Sequence, residues 1–195
     1  MDIFPIAYAA PVSYYVQLLQ SENVFFEVEE FFPKQTIRNH CNILTSHGTM
    51  KLSIPLESRR NKTLTKEIKI SYTEDWQKHH WRSIVTAYNN SAFFEFYAHK
   101  FEKIYHSKIE YLVDFNQALL EEISAVFKRK ISYQYSSEYL TPNNGADYRD
   151  FNFSNAANQP YYQLFGDSKF IHGLSIYDLI FNEGNRSMDY LLFNA

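Results

Sequence analysis

Apolar and polar positions alternate with two different periods along this chain, and the periods divide it into elements. Residues 3–8 form a short apolar run that reads as a strand. Pro11 then opens residues 12–19 as a helix, with the proline near its first turn. Asn23 breaks it, and Val24, Phe25, Phe26, Glu27 and Val28 read as a second strand, β-branched and aromatic. A strand, a short helix and a strand in succession predict a parallel pair with a right-handed crossover. His47-Gly48 marks a turn, residues 50–56 alternate as a strand, and residues 58–65 form a polar, basic loop. Residues 68–72 alternate again with period two, as an antiparallel neighbour of 50–56.

The period then lengthens. Trp81, Ile84, Val85 and Tyr88 stand at i, i+3, i+4 and i+7, the stripe of an amphipathic helix, with Thr73 as its candidate N-cap. Helices follow at about residues 93–105 and 115–127, then a strand at 131–135. Asn143-Asn144-Gly145 opens a long irregular stretch to about residue 161, a candidate lid or disordered loop. The last helix carries Ser175 as cap, Asp178 three residues on, a Leu174–Leu179 staple and a stop at Gly184. These elements predict one α/β domain over residues 1–195, a mixed sheet with a parallel N-terminal strand pair, covered by helices.

Composition changes this picture in three ways. There are 17 Phe, 16 Tyr and 2 Trp. So many rings serve an aromatic core, or a polar-lined cleft where tyrosine keeps its hydroxyl wet. The net charge of −3, with both signs mixed along the chain, argues against nucleic-acid binding. The single cysteine, Cys41, excludes an internal disulfide and fits a reducing compartment. The first residues lack a basic signal-peptide start, and no apolar run approaches the about 20 residues a membrane span needs, so a cytoplasmic protein is expected.

Two segments concentrate the chemistry. Residues 34–42 hold Lys34, Gln35, Arg38 and Asn39, and residues 75–84 hold Trp76, His79, His80, Trp81 and Arg82. Lys34 and Arg38 share a side whether the backbone is extended or helical, so one anion can meet both. The plainer alternative is a solvated edge or a structural arginine tied to backbone carbonyls, since structural ion networks imitate sites. His80 is the candidate proton handler, or else a histidine pinning its helix to a loop. His79 and His80 diverge on a helix, and His99 and His106 lack a third ligand, so no metal set is expected. Neither of the common glycine-rich phosphate loops is present, and cofactors are left open. Tyr148-Arg149-Asp150 and Tyr161-Tyr162-Gln163-Leu164-Phe165 flank the irregular stretch, to close over a ligand or to anchor the loop.

In chain order, these strings carry a resemblance: 11–19, Lys34-Gln35-Thr36-x-Arg38-Asn39, Leu52-Ser53-Ile54-Pro55-Leu56, Trp76-Gln77-x-x-His80-Trp81-Arg82-Ser83-Ile84-x-x-Ala87-Tyr88, Tyr148-Arg149, Tyr161-Tyr162-Gln163-x-Phe165 and 174–184. Together they resemble the WbqC-like family, in its short form found in Bacteroidetes. The resemblance implies surface-polysaccharide (O-antigen-type) biosynthesis, and a transferase or modifying enzyme acting on a nucleotide-linked sugar or similar activated anion. The alternative is a non-catalytic ligand-binding or scaffold protein of the same pathway, with a homo-oligomer as one form it could take. The family's shared polar positions fall on Lys34, Gln35, Arg38, Asn39, His80, Arg82, Tyr148, Arg149, Gln163, Asp178, Asn182 and Glu183. In the enzyme scheme Lys34 and Arg38 hold phosphates, His80 moves a proton, and Tyr148, Arg149 and Gln163 cover the substrate. His40, where an arginine is common, and a weakly basic loop after Asp150 are departures that disfavour a strongly anionic ligand. The scheme requires both segments to line one hollow.

Overall fold

The computed structural model describes residues 1–57, 62–156, 158–166 and 169–194. The chain runs through β1 (Asp2–Pro5), α1 (Val12–Gln20), β2 (Val24–Glu27), β3 (His40–Thr45), β4 (Gly48–Ser53), α2 (Trp76–Tyr88), α3 (Phe94–Tyr105), α4 (Leu112–Phe127), β5 (Tyr133–Tyr135), α5 (Ile176–Glu183) and α6 (Ser187–Phe193). Single 3-10 turns stand at Thr65–Glu67, Phe153–Asn155 and Gly184–Arg186.

The expected parallel unit is present. β1 and β2 pair in parallel across α1, and β5 adds to the far side of β2, giving a three-stranded sheet in the order β1-β2-β5. On its free side β1 meets residues 146–148 through a parallel bridge, Ile3 to Asp147. Ile3 receives the Tyr148 N–H and donates its own to the Ala146 carbonyl. The chain therefore returns after β5 to the opposite flank of β1, which makes that flank a reversal point in strand order. Phe4 and Phe26 are fully buried, as strands covered on both faces require. β1 is shorter than expected. It stops at Pro5, and the Tyr8 N–H turns to the Ile37 carbonyl at 2.8 Å.

β3 and β4 form an antiparallel hairpin about the predicted turn, with Gly48 at φ 99°. β4 ends at Ser53, before the predicted 56. The expected strand over 68–72 is reduced to bridges, because its backbone divides between two partners. Leu56 pairs with Ile70 antiparallel, as expected, but Ile70 N donates to Glu110 O and Lys69 bridges to Tyr111. Thr73 does not cap α2. Asp75 holds that position without a side-chain bond, and Thr73 Oγ1 pairs with Ser71 Oγ at 3.0 Å. Within the polar loop 58–65, residues 58–61 lie outside the described residues, as does residue 157 of the irregular stretch. That stretch is anchored by the bridge at Asp147 and by Phe153, which is 1 % exposed.

The aromatic surplus goes mostly inward. Phe181 of α5 packs on Tyr88, Phe94, Phe101 and Tyr177 at ring separations of 5.0–5.9 Å. Such pairs add about 0.5–1.5 kcal/mol each beyond their burial. Ser175 caps α5 as expected, accepting from Tyr177 N at 3.3 Å. Asp178 does not complete a capping box: the Ser175 N–H donates to Asn42 O, and the Asp178 carboxyl faces the 161–163 segment. Gly184 ends α5 at φ 57°, and α6 beyond it was not predicted.

A seam joins the start of the fold to its end. Val12 N donates to Leu174 O at 3.1 Å, Ile176 N to Ala10 O at 2.9 Å, and Ser175 Oγ to Ala9 O at 2.7 Å. Ser13 Oγ donates to Phe153 O at 2.6 Å. The first turn of α1 is thus faced by protein carbonyls.

Candidate functional site

Polar side chains gather where the parallel strands end. Glu27 closes β2 and is fully buried, so its carboxylate must be satisfied by protein. Ser136 Oγ donates to Oε1 at 2.7 Å, Glu29 N to Oε1 at 2.8 Å, and Leu140 N to Oε2 at 2.7 Å. Arg149 follows the strand-like 146–148 segment and reaches Glu27 at 3.6 Å. Its Nε and Nη2 grip Asp147 at 2.9 and 2.6 Å, its Nη1 donates to Leu140 O, and its guanidinium lies 4.8 Å from the Tyr139 ring centre. Arg38, 1 % exposed, binds Glu30 through Nε at 2.7 Å and Nη2 at 2.6 Å, and Nη2 also donates to Arg149 O at 3.4 Å. Asn116 Nδ2 holds the Arg38 carbonyl at 2.8 Å.

Beside this network lies a cleft of about 300 Å³ lined by Gln35, Thr36, Arg38, His40, Arg149 and residues 150–154 except 153, with Ile37 between them. Ile37 is fixed by its bond from Tyr8, three residues past the end of β1, and Arg149 follows the 146–148 segment directly, so the cleft opens outside the carboxyl ends at the strand-order reversal. In open α/β sheets this is the place where ligands bind. Gln35 is held at φ 55°, a left-handed backbone uncommon outside glycine. Electrostatically the cleft is not basic. Three carboxylates, Glu27, Glu30 and Asp147, face two guanidinium groups. Arg149 holds the Asp147 carboxyl below its usual range, whereas burial raises that of Glu30 against the pull of Arg38. Burial and Lys51 lower His40 to about 4, so the imidazole is neutral at pH 7.

The second segment sits elsewhere. His80 is 7 % exposed on the inner face of α2. A backbone hydrogen bond at Ser53 favours its charged form, so one ring N–H donates to that carbonyl and Nδ1 accepts from Tyr8 Oη at 2.9 Å. Tyr8 then accepts from Tyr105 at 2.7 Å, and Tyr105 from Tyr177 at 3.1 Å. Four buried side chains form one directed chain. Burial takes His80 down to about 4. Trp81 stacks on Tyr105 and donates to Glu102 at 3.1 Å, lining a separate cleft of about 320 Å³ with Tyr72, Asp75, Gln77 and Lys78. Arg82 points outward and is exposed.

A third group forms around α5. Asp178, 1 % exposed, accepts from Tyr161 Oη at 2.7 Å and Gln163 Nε2 at 3.2 Å, and Tyr88 also favours its charged form. Burial outweighs these partners and raises the carboxyl to about 6. Gln163 is further tied to Ile171 by bonds of 2.9 and 2.8 Å. Asn182 donates to Asp178 O at 2.8 Å, and Glu183 pairs with Arg186 at 3.1 Å. Cys41 is 2 % exposed, its thiol pushed up to about 12 by burial.

Of the residues singled out in the sequence, the cleft therefore gathers Gln35, Arg38 and Arg149, with exposed Lys34 beside Gln35. Asn39 is adjacent but donates to Ile54 O at 3.2 Å. Tyr148 stacks on Phe4 at 4.4 Å and donates to Gln17 at 2.9 Å, away from the cleft lining. His80, Trp81 and Arg82 are not brought to it, nor are Gln163, Asp178 and Asn182. Glu27, Glu30 and Asp147 were missed. The signal for Glu27 was available, because a carboxylate ending the apolar run Val24-Phe25-Phe26 is buried with its strand.

Among the described residues, no group of three or more His, Cys, Asp or Glu is placed to hold a metal ion, and no helix is long and apolar enough to cross a membrane. A family model, described as the WbqC-like protein family, matches residues 7–149. No curated protein and no solved structure matches the chain.

Proposed function

The chain belongs to the WbqC-like protein family, and from that membership we propose that it acts in surface-polysaccharide biosynthesis on a nucleotide-linked sugar held at the cleft beside Arg38 and Arg149. The carrying observation is the position of that cleft, outside the carboxyl ends of β1 and the 146–148 segment, where strand order reverses. In this reading Gln35 and the 150–154 turn contact the ligand, exposed Lys34 meets its phosphates, and the Arg38–Glu30 and Arg149–Asp147 pairs hold the walls. The activity is a transfer to or modification of the bound sugar.

One observation favours a second reading, a protein of the same pathway that binds the sugar without transforming it. His80, the expected proton handler, is buried, with one nitrogen on Tyr8 and the other on the Ser53 backbone. Thermal-shift titration with a nucleotide-sugar panel tests the shared claim. A saturating rise of several degrees that is reduced in Lys34→Ala and Gln35→Ala is the expected result. No shift with any member at millimolar concentration sinks both readings. Product formation in the same mixtures separates the enzyme from the binder.

A further inference from the structure

We infer that the cleft recognises the neutral, polyhydroxylated ring of its ligand, and that phosphate has no place inside it. The inference rests on the proposed sugar ligand and names the part of that ligand the cleft takes.

Charge comes first. An anion inside the cleft would need free guanidinium donors, and Nε and Nη2 of Arg38 are directed at Glu30 and Arg149 O, while Arg149 is directed at Asp147, Glu27 and Leu140 O. Carboxylates outnumber cations in the wall, and Asp150 adds another at the lining. A phosphate inside would lie against these carboxylates, and the nearby lysines, Lys34 and Lys51, stand outside the lining. His40 contributes no positive charge at neutral pH.

The remaining lining suits hydroxyl groups. Gln35 and Asn152 offer both donors and acceptors, Thr36 and Ser154 offer hydroxyls, and Asp150 accepts. Such a set reads several hydroxyls on one ring, each of which both donates and accepts. Phe151 adds an apolar plate. It is 47 % exposed, yet its ring is held by Phe153 at 4.7 Å and Tyr148 at 5.7 Å. The C–H face of a pyranose packs on such a ring. The turn that carries Ser154 is fixed from behind by Gly173, at φ 73°, where a Cβ would stand 2.5 Å from Ser154 O. A volume of about 300 Å³ is the low end for small-molecule sites, enough for one ring and too little for a whole nucleotide-sugar.

The test uses the full chain, ¹⁵N-labelled, with three probes: a panel of neutral methyl glycosides, inorganic phosphate, and a nucleotide-sugar panel. At least one methyl glycoside is expected to shift amides of residues 35–40 and 149–154, with affinity unchanged between low and high salt. Phe151→Ala and Asn152→Ala should each weaken it about tenfold, and Phe151→Tyr should keep it. Both side chains are exposed, so unchanged melting temperatures verify folding. If phosphate shifts those amides, or glycosides do not while nucleotide-sugars do, the inference is overturned and the proposed function stands. Glycoside binding indifferent to both alanine variants also overturns it. Silence from all three probes removes the proposed function as well.

Discussion

Tyr8 and His80 meet across the core with 2.9 Å between phenol oxygen and Nδ1, and burial there keeps the imidazole neutral at pH 7. The folded ring titrates near 4, held down first by burial, against about 6.5 for a free imidazole. A lowered folded value means that the unfolded chain binds the extra proton. His80 therefore stabilises the fold fully above about pH 6.5 and loses that contribution as pH falls through 4, on the order of 3 kcal/mol. Replacing His80 with Phe should remove this slope. Urea unfolding of both proteins between pH 4 and 8 reads it as the difference between two curves, and parallel curves would refute the buried neutral ring.

Asp178 has the opposite sign. Burial raises its carboxyl to about 6, against about 3.9 unfolded, despite Tyr161, Tyr88 and Gln163. Its contribution is complete below about pH 4 and is lost as pH rises through 6, on the order of 3 kcal/mol. The two groups therefore largely cancel in the wild-type protein. Asp178→Asn should expose the His80 slope, leaving a protein that unfolds more readily in acid and is no less stable at pH 7. A variant whose pH profile overlays the wild type would show that Asp178 titrates normally.

The Arg38–Glu30 pair is a wall rather than a free anion hook. With Arg38 1 % and Glu30 12 % exposed, Arg38→Ala strands a carboxylate and should cost about 3–5 kcal/mol. Glu30→Gln should cost less, and Glu30→Gln combined with Arg38→Ala should cost less than the two losses added. Denaturant melts of the four proteins close the cycle. Additivity within about 0.5 kcal/mol would mean that the two residues do not support each other.

Much of the fold was legible because it rests on local pattern. Val24-Phe25-Phe26 could be only a strand, Pro11 could stand only near the start of a helix, and Ser175 with Leu174 and Leu179 announced α5. β3 was not read. Residues 34–42 looked like binding chemistry, and only pairing with β4 shows His40 and Asn42 as the half-exposed positions of a strand that buries Cys41 and Ile43 on its other face. The site was half legible for a related reason. Arg38 and Arg149 stand out by residue type, but their carboxylate partners lie in other segments, brought near by sheet order. Isolated arginines therefore read as free cations. His80 misled in the same way, since its partner Tyr8 is 72 positions distant.

The seam at Ala9, Ala10 and Val12 bears on where this protein can be cut. The family match stops at residue 149, yet Ser175 Oγ grips a carbonyl 166 positions upstream, and α5 supplies rings to α2 and α3. A fragment trimmed to the matched span would expose Phe94, Phe101 and Tyr88 to water and leave the first turn of α1 unplugged. The shortest fragment expected to fold alone reaches into α5, and expression of anything shorter should yield insoluble material.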